Sequence, residues 1–153
     1  MRQLGVRSVI DSVRAHKMAY AIGVVIGVLT FAVGRFAGFD RDRAFYPTIL
    51  IITASYYVLF AVMGGSTSAL VAELIGLLLF FATALAGFKL SPWILVAGLG
   101  GHAVFDLVHG YVVTNPGVPA YWPAFCLAFD VSLAAALAVL IRARAQQAEG
   151  ARS

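Results

Sequence analysis

Apolar residues fall into five long runs separated by short polar punctuation. The runs cover about 18–34, 44–63, 68–88, 92–113 and 121–141, each about 17–22 residues long. A helix of about 20 apolar residues spans the hydrocarbon core of a bilayer. The separators have the composition of turns. Arg35 to Arg43 form a charged loop with Asp40 and Asp42, Gly64-Gly65-Ser66-Thr67-Ser68 is small and polar, Lys89-Leu90-Ser91 is brief, and Thr114 to Pro119 holds two prolines and a glycine. Pro47, Pro92 and Pro123 stand near span starts, where a helix tolerates a missing N–H. Thr67 or Ser68 is placed to cap the third span. The pattern predicts an all-α fold, a polytopic bundle of five transmembrane helices. Residues 1–17 precede it as a basic amphipathic segment suited to the interface, and residues 142–153 follow as a polar tail expected to fray.

Composition supports lipid as the solvent. Of the 153 residues 61% are hydrophobic and only 12% charged, against about a quarter charged in ordinary soluble domains. The mean hydropathy is +0.91. A soluble core cannot hide that much apolar surface at this length. The net charge of +4 does not point to nucleic acid, because the basic residues cluster in the tails and the first loop, where they meet headgroups and set topology. Five spans put the two tails on opposite faces. One face holds Arg35, Arg41, Arg43, Lys89, Arg142, Arg144 and Arg152, seven in all, and the other Arg2, Arg7, Arg14 and Lys17, four in all. The positive-inside rule then makes the carboxyl tail cytoplasmic in a multi-pass protein of the cell membrane, although the basic amino-terminal segment argues the reverse. Tyr46 and Trp93 fall at one face, and Tyr111, Tyr121 and Trp122 at the other, as interfacial belts. Cys126 is the single cysteine, so no intrachain disulfide forms.

The informative residues are those that lipid rejects. Glu73, His102, Asp106, His109 and Asp130 lie inside spans, where a charge costs about 2.5–3.5 kcal/mol on insertion scales. His102, Asp106 and His109 form His-x-x-x-Asp-x-x-His. At about 100° per residue they share roughly 60° of helix surface. Glu73 and Asp130 lie at matching depth, counted from the Gly64–Ser68 turn and the Pro116–Pro119 loop, which alternate spans put on one side. Tyr56 and Tyr57 occupy the same half of the second span and read first as packing or hydrogen-bonding residues.

Three carboxyls meet no Lys or Arg at that depth, so protons or a divalent cation must neutralise them. Imidazoles with carboxylates suit zinc first, then iron or manganese. The expected metal ligands are His102, Asp106 and His109, with Asp130 and Glu73 as a further ligand or general base. Cys126, one turn before Asp130 on the same face, reads first as a small buried hydrophobe and second as an added ligand. The chemistry expected is metal-assisted hydrolysis or lipid modification, with the bilayer and an apolar or lipid substrate as partners. The competing classes are a proton-coupled transporter using the same carboxyls as a relay, an accessory membrane subunit, and interhelical hydrogen bonding with no chemistry.

Gly101-His102, Asp106, His109, the Pro-rich turn, Trp122-Pro123-x-Phe125-Cys126 and Asp130, with Glu73 upstream, resemble the pattern of an uncharacterised family of small bacterial and fungal integral membrane proteins. The resemblance covers roughly residues 70–135 and implies only that these polar positions form a set. The site composition is also similar to membrane hydrolases of the alkaline ceramidase type, whose His-x-x-x-His element and two further spans are missing here.

Overall fold

The computed structural model describes residues 2–152, with side chains from residue 11 onward. It contains five α-helices and one short 3-10 turn: α1 (Arg2–Ala37), the turn Phe39–Arg41, α2 (Phe45–Met63), α3 (Thr67–Lys89), α4 (Pro92–Val112) and α5 (Trp122–Gly150). All five helices are long and apolar enough to cross a membrane, and no strand occurs among the described residues. The protein is an all-helical, multi-pass bundle.

Helix ends follow local chemistry. Ser66, rather than Thr67 or Ser68, caps α3 by accepting from Ala69 N at 3.2 Å. Ser91 caps α4, and Pro92 fills its first turn. The tail expected to fray is helical to Gly150, because Arg142 to Glu149 contains only alanine, arginine, glutamine and glutamate, all strong helix formers. At the other end α1 runs without a break from residue 2 through the first span, since nothing before Gly34 stops it. The side chains of Leu4, Val6, Arg7, Val9 and Ile10, which carry the amphipathic reading, lie outside the described set.

α4 sits at the centre, with α5, α3 and α2 packed around it, while α1 lies along α5. The face α1 gives to α5 is a stripe of small residues: Ala19, Gly23 and Gly27 are its buried positions. A Cβ at Gly27 would stand 2.8 Å from the Phe129 carbonyl oxygen, and one at Gly23 would collide with that of Phe125. Backbone therefore meets backbone, which is how helices gain dispersion contact in lipid. An apolar core of Leu50, Leu95, Leu99, Leu133 and Leu137 fills the half of the bundle nearer the carboxyl tail. Tyr46 is at its expected level but is turned inward and 5% exposed, packed edge-on against Phe45 beneath the 39–41 turn.

Candidate functional site

The buried positions of α4 include His102, Asp106 and His109, a stripe at i, i+4 and i+7. The same spacing that made them one face in the sequence makes them one wall of the bundle interior. Glu73 on α3 and Asp130 on α5 are buried opposite that wall. His102 and Asp130 are 0% exposed, Asp106 and Glu73 2%, and His109 3%. The bundle thus hides every ionisable group of its spans that the sequence singled out.

They form two neighbouring sets. In the first, Nδ1 of His102 lies 2.7 Å from Asp130 Oδ2 and 3.5 Å from Asp106 Oδ2. The Cys126 thiol points at Asp130 Oδ2 from one turn earlier on α5, at 3.7 Å. One donor atom from each of His102, Asp106, Cys126 and Asp130 lies within 4.8 Å of the others. Tyr57 on α2 donates its hydroxyl to Asp106 Oδ1 at 2.7 Å. Three buried polar atoms have no hydrogen-bond partner among the described residues: His102 Nε2, Asp106 Oδ2 and Asp130 Oδ1. Buried polar atoms are seldom left so, and the free carboxylate oxygens of Asp106 and Asp130 could take a further partner such as a cation.

In the second set, His109 Nε2 lies 2.7 Å from Glu73 Oε1. Asn115, in the loop after α4, donates to the same oxygen at 2.9 Å and to the Tyr57 carbonyl at 3.0 Å. Gly117 holds that loop against the end of α2, where a Cβ would collide with the Phe60 carbonyl. Tyr57 joins the two sets, because its ring stacks on His109 with centroids 4.1 Å apart while its hydroxyl reaches Asp106. Phe80 and Phe105 pack edge-on about the imidazoles and keep the surroundings apolar. Among the described residues the charged partners of these carboxylates are imidazoles, with no Lys or Arg.

Of the expected metal ligands, His102 and Asp106 stand together, while His109 turns to Glu73. Asp130, expected as further ligand or base, joins His102 and Asp106. Cys126, read first as a hydrophobe, is buried and also belongs to the quartet. Its i, i+4 relation to Asp130 was the available signal. Asn115 was read only as part of a turn, and no local pattern reveals its reach back to Glu73. Tyr56 packs on Trp122 at 4.8 Å between centroids and stays outside the polar sets.

A cavity of about 340 Å³ opens beside Asp106 between α1, α4 and α5. His16, Tyr20, Gly110, Tyr111 and Leu127 are among its lining residues, so it leads from the face bearing the amino-terminal end of α1 to one edge of the quartet. The chain matches no protein family, no curated protein and no solved structure.

Proposed function

We propose that this protein binds one divalent metal, zinc as the first choice, inside the membrane. His102, Asp106 and Asp130 are the ligands, and Cys126 is the fourth donor. The observation that carries the reading is the convergence of four ligand-type side chains from two helices within 4.8 Å, fully buried. A tetrahedral ion with donors at about 2.0–2.3 Å holds them roughly 3.3–3.8 Å apart. The quartet reaches that spacing with movements of about 1 Å, as the 2.7 Å His102–Asp130 contact opens and its proton leaves. Tyr57 fixes Asp106 from outside, as an outer partner of a metal ligand does.

Bound there, the metal would polarise a carbonyl or activate water once Cys126 yields the fourth position, and a hydrolase or lipid-modifying enzyme is the class that follows. Glu73 and His109 form the adjoining acid–base pair. The cavity beside Asp106, with a polar and an apolar lining, suits an amphiphilic substrate drawn from the bilayer. The cell membrane as location, a cytoplasmic carboxyl tail and kinship with the small bacterial and fungal membrane family belong to the same proposal.

Metal analysis of protein purified in detergent without chelator tests it. Wild type should carry about one equivalent. His102→Ala and Asp130→Ala should lose it, and His109→Ala should keep it. Wild-type protein that holds no stoichiometric metal, and gains no thermal stability from zinc, manganese or iron, would end the metal reading.

A proton-relay reading then leads, favoured by one specific observation. Asp130, His102, Asp106 and Tyr57 form a run of contacts of 2.7, 3.5 and 2.7 Å, with the Glu73–His109 pair stacked against its end. Proton-coupled flux in liposomes, lost in Asp106→Asn, is its signature.

A further inference from the structure

The opposite end of the bundle holds a second built site. Asp40, its side chain 1% exposed, receives Arg35 and Arg144 on the same oxygen, Oδ2, each at 2.6 Å. This strap closes one side of a cavity of about 250 Å³ between the ends of α2, α3, α4 and α5. Its polar rim includes Arg41, Asp42, Arg43, Arg144 and Tyr46, with Asp42 turned to the Ala44 amide at 2.9 Å, and its inner wall is Leu95, Leu137 and Ile141. Arg41 and Arg43 are exposed and make no ion pair among the described residues.

Two atoms at this cavity lack partners. Among the described residues, the Tyr46 hydroxyl, on a residue 5% exposed, has no hydrogen-bond partner, and neither does Asp40 Oδ1. One is a donor and the other an acceptor, both on residues that line the same space. A group that would answer both atoms, the two unpaired arginines and the apolar wall together carries acceptor oxygens, a hydroxyl donor and negative charge on an apolar body.

We propose that this cavity binds the headgroup of an anionic, hydroxyl-bearing phospholipid such as phosphatidylglycerol. The phosphate accepts from Arg41, Arg43 and the Tyr46 hydroxyl, a headgroup hydroxyl donates to Asp40 Oδ1, and the glycerol and first acyl carbons cover Leu95, Leu137 and Ile141. Position agrees with chemistry. The cavity lies at the level of Trp93 and Lys89, at the ends of spans, where basic pockets between helices hold lipid headgroups. Arg35 and Arg144 neutralise Asp40, and Arg41 and Arg43 outweigh Asp42, so the rim keeps a positive balance toward the phosphate. The site is independent of the His102 quartet.

The test is thermal unfolding of the full chain in uncharged detergent with added lipid. Phosphatidylglycerol should raise the midpoint by several degrees, because a ligand of the folded state stabilises it by mass action. Phosphatidic acid, which lacks the headgroup hydroxyl, should raise it less. Phosphatidylcholine and inorganic phosphate at equal concentration should leave it unchanged. The R41Q/R43Q double variant alters only exposed, unpaired side chains, so it should fold normally and lose the phosphatidylglycerol increment. Ile141→Glu, at the half-buried end of the apolar wall, should lose it too. An increment that survives R41Q/R43Q, or that phosphatidylcholine or inorganic phosphate reproduces, overturns the proposal. Equal increments from phosphatidic acid and phosphatidylglycerol overturn the role of the hydroxyl.

Discussion

Asp40 and Asp130 are both buried aspartates, and their surroundings could hardly differ more. Asp40 stands at a membrane face with two guanidinium groups on one oxygen, and those two side chains are 47% and 48% exposed. Asp130 stands within the bundle against an imidazole that is itself 0% exposed. Arginine is charged at any ordinary pH and keeps part of its hydration here, so the Asp40 strap is a permanent tie between the 39–41 turn and α5. An imidazole is a cation only when protonated. The charge balance at Asp130 therefore depends on a proton or on a metal. Burial of a carboxylate does not by itself mark chemistry. The variability of its counter-charge does.

The largest effect should come from Asp130→Ala. It removes the 2.7 Å partner of His102 Nδ1, which keeps only the 3.5 Å contact to Asp106, and the acceptor of the Cys126 thiol, and breaking such a buried pair costs about 3–5 kcal/mol. Denaturant unfolding in micelles measures the loss, and metal content should fall with it. Tyr57→Phe comes next. It strips the hydroxyl from Asp106 Oδ1, and an acceptor left unsatisfied in the interior costs about 1–3 kcal/mol. Asp40→Ala should cost less, about 1–2 kcal/mol, since both arginines can turn to water. Its clearer readout is faster tryptic cleavage after Arg144 with metal content unchanged. Arg41→Gln should fall within about 0.5 kcal/mol of wild type in the absence of lipid, because the side chain is exposed and unpaired. If Asp40→Ala proved as costly as Asp130→Ala, the contrast between permanent and variable counter-charge would collapse.

The two regions were unequally legible in the sequence. The five spans could be read because each apolar run is about one bilayer long and ends in Gly, Pro or charge. His102, Asp106 and His109 could be read as one wall because helical periodicity is local. Which of them pair is a question of helix rotation and depth, and no local signal holds it. His109 faces α3 and His102 faces α5, so the triplet divides between two partners although its members share one face. Cys126 was legible as a neighbour of Asp130 but ambiguous in role, since a small apolar side chain and a ligand look alike in one sequence. Asn115 was illegible, because its reach to Glu73 depends on how a loop folds over the end of α2. Asp40 was counted with a solvated charged loop. Its burial arises only when Arg144, 104 residues later, comes down on it.

The small-residue stripe of α1 has a mechanical consequence. Gly23 and Gly27 leave notches that Ala128 and Ser132 of α5 fill, so along the stripe the two helices are held by shape rather than by polar ties. Among the described residues, the ion pair of α1 is at its carboxyl end, through Arg35 to Asp40 and on to α5. A rod pinned at one end and held elsewhere by shape is a lever, with the 39–41 turn as its fulcrum. Its far arm carries His16 and Tyr20, which wall the cavity beside Asp106. A tilt too small to disturb the pinned end would be amplified along that arm, where it would change the approach to Asp106 before it changed the helices that hold the quartet.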